Sequence, residues 1–78
     1  MIRYDKHVVA KDFDFEIPQF VQDSIDLLIN GINSGDLMAD CYMSDLANNI
    51  NNCLHVCLTD SQADELRNYY IRGGMYNV

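Results

Sequence analysis

The chain has little positive charge. Its 78 residues carry 5 lysines and arginines against 12 acids, a formal net charge of −7. Arg3, Lys6, Lys11, Arg67 and Arg72 are scattered and form no stripe that could neutralise phosphates. Direct nucleic-acid binding is therefore not expected, and neither is binding to an anionic membrane surface. Long apolar runs are also missing, since none approaches the ~20 residues of a membrane span. The N-terminal MIRYDKHVV lacks the apolar centre of a signal peptide. Three cysteines without framework spacing suit a reducing compartment, so a cytoplasmic location is expected. No internal repeat or low-complexity tract is visible. There is no glycine-rich phosphate loop, nucleophile elbow, zinc-protease helix or calcium loop.

What is present fits one small domain spanning residues 1–78. The hydrophobic fraction of 49% argues against disorder. A chain of this size buries only about 60–65% of its unfolded surface, so every contact in its core counts. The pattern that organises the rest runs from Asp12 to Ile32. Asp12, Phe13, Asp14, Phe15, Glu16 and Ile17 alternate acid with apolar, the period of a strand with one charged and one apolar face. After Pro18 the period changes: Phe20, Val21, Ser24, Ile25, Leu28, Ile29 and Ile32 follow helical spacing.

The expected class is mainly α, with α+β as the variant. The architecture is a three-helix bundle carrying an N-terminal β-ribbon or extended arm over 1–17. Ile2, Tyr4, Val8 and Val9 favour a first strand over 2–10, though the turn at Ala10–Lys11 lacks Gly, Asn or Pro. Helix one is expected over 18–33, with Pro18 in its first turn and Asn33-Ser34-Gly35 as the stop. Asn30-Gly31 offers an earlier end. Helix two is expected over 36–57, capped by Asp36 or Ser34. Its stripe is Met38, Tyr42, Leu46, Ile50, Leu54 and Cys57, widened by Leu37, Cys41 and Cys53. Ser44-Asp45 offers a break, and Asn-rich NNINN has poor helix propensity, so packing must hold it. Helix three is expected over 60–72 and has the clearest local signal. Thr59 and Gln62 make a capping box, and Leu58 and Ala63 occupy the positions of a hydrophobic staple. Gly73-Gly74 ends it, leaving a tail over 73–78.

Candidate chemistry is sparse. Cys53, His55 and Cys57 invite a metal reading, but on a helix His55 points away from the two thiols, and only His7 remains as a fourth ligand. The same geometry argues against a Cys57–His55 dyad and a Cys53–Cys57 disulfide. The cysteines therefore read as core residues, and neither metal, cofactor nor catalytic residue is expected. Of the five tyrosines, Tyr69 and Tyr70 are adjacent and cannot both face the core fully, which leaves one for an interface; the plainer reading is rings half-buried over a small core with their hydroxyls wet.

The remaining feature is the acidic row Asp12, Asp14 and Glu16, with Asp23 and Asp26 behind it. Strand geometry sets its members about 6.5–7 Å apart, near the phosphate spacing along a nucleic-acid strand. The plain alternative is a solvated face that keeps an edge strand from pairing. The expectation is a non-enzymatic binding protein, an inhibitor or regulator that covers a basic surface of a protein partner, for instance a nucleic-acid-binding protein. In size and charge the chain is similar to small acidic inhibitors of phages and mobile elements, including anti-CRISPR proteins and DNA mimics. That likeness is compositional and covers no motif. The alternative is a homodimer or larger homo-oligomer, an accessory domain that buries the unpaired strand edge and exposed tyrosines against a second copy.

Overall fold

A computed structural model describes residues 8–76. These residues are mainly helical. Helix α1 spans Gln19–Ser34, α2 spans Ala39–Cys53 and α3 spans Asp60–Leu66. Helix α3 runs on into a π-helical turn over Arg67–Ile71, and a 3-10 turn covers Gly74–Tyr76.

Helix α1 follows its apolar spacing. Val21, Ile25, Leu28 and Ile32 are buried on one face, as a 3.6-residue period requires. Gly31 does not end it. It sits inside the helix where the Tyr42 ring crosses, and a β-carbon there would lie 2.9 Å from Cδ2 of that ring. The stop is Gly35, whose φ of 71° is left-handed and whose N–H meets the Ile32 carbonyl.

Helix α2 starts later and ends earlier than 36–57. At its start, the Asp36 carboxylate accepts the Met38 N–H at 2.9 Å and the Tyr42 hydroxyl at 3.1 Å. This local turn holds Asp36–Met38 outside the helix. At its end, the Cys53 carbonyl accepts N–H groups from Val56, Cys57 and Leu58, which closes the last turn on itself. Leu54 has left helical geometry, and His55 takes a left-handed φ of 63°. The loop delivers Leu58 to the same buried cluster as Ala63, as a hydrophobic staple requires. Leu46, Ile50 and Cys53 carry the buried stripe, while Met38, Leu37, Cys41 and Cys57 are exposed. No break occurs at Ser44–Asp45.

The capping box of α3 forms in both directions. Gln62 N–H reaches Thr59 Oγ1 at 3.2 Å, and Thr59 N–H reaches Gln62 Oε1 at 3.0 Å. The π-turn then alters the register. Arg72 N–H bonds five residues back to Arg67, so a wider turn accommodates both tyrosines. Tyr70 is buried and Tyr69 half-buried, their rings edge to face at 4.9 Å. Neither tyrosine is therefore left exposed.

The proposed first strand lies largely in residues 1–7, outside the described residues. Residues 8–18 are described, and they form an arm without a backbone ladder. Val8 meets Asn33 near the end of α1, and Ile17 meets Gln22 near its start. The arm thus runs antiparallel along the helix. Among the described residues the one β-bridge joins Leu54 to Leu58. Within the arm the alternation survives as burial. Phe13, Phe15 and Ile17 pack against the core, while Asp12, Asp14 and Glu16 face solvent.

Candidate functional site

The arm is fastened by side chains. The Asn33 amide grips Val8 from both sides: Nδ2 donates to the Val8 carbonyl at 2.8 Å, and Val8 N–H donates to Oδ1 at 2.9 Å. Tyr70 Oη accepts the Lys11 N–H at 3.0 Å, and the Tyr69 hydroxyl donates to the Val9 carbonyl at 3.3 Å. Gln22 Nε2 donates to the Ile17 carbonyl at 2.7 Å. An amide side chain bonded to both backbone groups of one residue satisfies what a neighbouring strand would otherwise satisfy.

Between arm and helix lies an open cleft of about 300 Å³, lined by Asp12, Glu16, Asp26, Phe15, Ile25 and Tyr70 among others. Three of the five acids singled out in the sequence thus converge on one groove. Asp26 joins because it follows Ile25, which turns into the seam. Asp14 and Asp23 are exposed but do not line the cleft. Asp23 accepts a bond from Gln19 on the outer side of α1. The chain bends at Asp14 and Phe15, so the even row of a straight strand is not kept.

The cleft is electrostatically unbalanced. Among the described residues no basic side chain lies within salt-bridge distance of any of the five acids; the ion pairs are His55–Asp60 and Arg67–Asp64. Lys11 and Phe13 also line the cleft, and the Lys11 ammonium sits 5.3 Å from the Phe13 ring centre and 5.5 Å from that of Tyr69. The cleft therefore holds three carboxylates against one ammonium. Burial pushes the Tyr70 hydroxyl above its ordinary value of 10.0. The Lys11 amide pulls it the other way, and the charges of Asp26 and Asp12 add to the rise.

The cysteine–histidine segment is not helical, contrary to the geometry assumed from sequence. His55 and Cys57 lie exposed in the loop after α2, and Cys53 is buried at its end. Burial raises the Cys53 thiol above its ordinary value, with the neighbouring Cys57 adding to the rise. Among the described residues no group of three or more His, Cys, Asp or Glu side chains is placed to hold a metal ion. No described helix is long and apolar enough to cross a membrane.

The residues missed from sequence are the fasteners Asn33, Tyr70 and Gln22. In the sequence Asn33 reads only as part of a helix stop. A polar residue on the flank of a helix, one turn past half-buried Ile29 and buried Leu28, is the available signal. No protein-family model, curated protein or solved structure matches the chain.

Proposed function

We propose that the protein is a non-enzymatic binding protein whose arm and α1 present an acidic face to a basic surface of a protein partner, which it covers as an inhibitor or regulator. The observation that carries this reading is the clustering of exposed carboxylates along residues 12–26, none of which forms an ion pair with a described residue. Such a face raises encounter rates with a basic partner and fixes its orientation. Phe20 and Leu27, 47% and 49% exposed on the same helix, supply apolar contact beside Asp23 and Asp26. The bend at Asp14 favours a local carboxylate cluster over a phosphate-spaced row. A nucleic-acid-binding partner is therefore addressed through its arginines and lysines, with less reliance on groove geometry. A cytoplasmic setting agrees with three free thiols.

The test is affinity capture from a lysate of the source cells at two salt concentrations. Wild type runs beside two triple variants of equal charge change: Asp12→Asn, Asp14→Asn, Glu16→Gln, and the control Asp36→Asn, Asp40→Asn, Asp64→Asn. The expected result is a basic partner held by wild type and by the control, released by the first triple, and weakened by salt. Equal loss in both triples would reduce the effect to net charge and overturn the reading.

A second reading, self-association, is favoured by a different feature from the one expected. The described tyrosines are packed, but Phe20 and Leu27 leave an apolar patch on α1. Sedimentation of wild type against Phe20→Ser, Leu27→Ser decides it. A dimeric mass lost in the variant supports it, and a monomer at all concentrations rejects it.

A further inference from the structure

The groove between the arm and α1 has features that a merely charged face does not need. Its volume of about 300 Å³ is at the small end of ligand sites, which run about 300–1,000 Å³. It suits one long side chain better than a metabolite of cofactor size. Its wall is mixed: Phe15, Ile17, Ile25 and the ring of Tyr70 give an apolar side, and the charged groups are Asp12, Glu16 and Asp26 with Lys11. We propose that this groove receives an arginine side chain presented by the protein partner. The assignment rests on the binding reading above and names the group that is read.

Charge complementarity selects a cation, because three carboxylates line the groove against one ammonium, that of Lys11, which forms no ion pair with them and sits over the Phe13 and Tyr69 rings. The apolar wall selects among cations. A guanidinium is planar and weakly hydrated, stacks on ring faces and offers a fork of N–H donors to carboxylates. An ammonium keeps its water more tightly and has no flat face to lay against the wall. A bare divalent ion is disfavoured, since no described group of acids is placed to hold one. The groove is also preformed. Tyr70 Oη holds Lys11 N–H at 3.0 Å, and Gln22 holds the Ile17 carbonyl at 2.7 Å, so the arm is tied on both sides of Asp12 and Glu16 before a ligand arrives. Preformed walls lower the ordering cost of binding.

The test is an amide-resolved NMR titration of the full chain with N-acetyl-arginine amide, beside the citrulline and lysine analogues. Saturable shifts are expected at Ile17, Gln22, Ile25 and Asp26 with the arginine compound, weaker ones with lysine and none with neutral citrulline. Asp26→Asn weakens the affinity roughly tenfold, the scale of one charge-assisted contact. Ala10→Trp fills the groove and leaves all five acids in place, and it abolishes the shifts. Unchanged spectra elsewhere and an unchanged melting temperature certify the fold of each variant. Arginine-induced shifts spread evenly over Asp36, Asp40 and Asp64, or binding by Ala10→Trp equal to wild type, overturn the assignment. If wild type shows no saturable shift yet still captures its partner through Asp12, Asp14 and Glu16, the groove assignment fails and the acidic face stands. If capture does not depend on those acids either, both fail.

Discussion

Replacing Asn33 with alanine tests how the arm is held. The side chain makes two hydrogen bonds to one residue, at 2.8 and 2.9 Å, and that residue, Val8, is 2% exposed. Each such bond contributes a net ~0.5–1.5 kcal/mol, so the pair is worth about 1–3 kcal/mol. Were the arm to stay in place in the variant, a buried N–H and a buried carbonyl would lose their partners, at about 1–3 kcal/mol each. Peeling the arm end away instead sacrifices the burial of Val8, about 1.5–3 kcal/mol. The two routes are of similar size, and the cheaper sets the loss. Alanine also has a better helix propensity than asparagine by about 0.5 kcal/mol, which offsets part of it. Asn30→Ala is the reference, since Asn30 is exposed on the same helix and has the same propensity gain. Against that reference, Asn33→Ala is expected to lower Tm by about 5–20 °C, at 4–8 °C per kcal/mol for a domain of this size. The assays are thermal melting and amide hydrogen exchange. The Val8 and Lys11 amides, protected in wild type, should exchange ahead of the helix interior in the variant. Equal melting of the two variants, with Val8 still protected, would refute the claim that Asn33 fastens the arm.

Three further outcomes follow from single interactions. Thr59→Ala removes the α3 cap and should destabilise by about 1 kcal/mol, read as a urea midpoint; Thr59→Ser should restore most of it. In the native protein, iodoacetamide should label Cys41 and Cys57 while Cys53 reacts only after denaturation, as mass spectrometry of the peptides would show. The folded pKa of Tyr70 is raised above 10.0, so the contribution of its neutral hydroxyl is fully present below that value and is lost as pH rises through the folded pKa. Tyr70→Phe should therefore be less stable than wild type at neutral pH, by about 0.5–1.5 kcal/mol for the lost Lys11 bond, yet its stability should fall less steeply at alkaline pH.

Legibility in the sequence tracked the range of the interaction. The capping box of Thr59 and Gln62 spans three residues, and it formed as read. The apolar face of α1 was equally readable, because Val21, Ile25, Leu28 and Ile32 report their own helical period. The alternation over 12–17 correctly separated Phe13, Phe15 and Ile17 from the acids. It did not reveal what those rings pack on, since a period of two specifies faces and leaves the neighbour open. The end of α2 was misplaced because apolar spacing through Leu54 and Cys57 continues the stripe. The chain instead leaves the helix at Leu54, three amides gather on the Cys53 carbonyl, and Leu58 joins the buried cluster from the staple position of α3. The groove was the least legible part. Its fastenings join Val8 to Asn33 across 25 residues and Lys11 to Tyr70 across 59, and no local rule links such pairs.

The acids themselves can be tested for a structural purpose. Charges on alternate strand residues keep an edge from pairing, but that explanation needs an edge. Here no ladder forms among the described residues of the arm, which side chains of Asn33, Tyr69, Tyr70 and Gln22 fasten at Val8, Val9, Lys11 and Ile17. Nor do Asp12, Asp14 and Glu16 brace the fold through ion pairs with described residues. In a chain of net charge −7 they add to self-repulsion. Neutralising all three should then leave stability within about 0.5 kcal/mol of wild type or raise it, a Tm unchanged or up by a few degrees, while partner capture declines. Charges that are dispensable for the fold yet needed for capture are what a binding face predicts, because affinity and stability need not be optimised by the same residues. A triple variant that melts well below wild type would show that the acids hold the arm in place, and its loss of capture would then report unfolding of the arm and carry no weight for the interface.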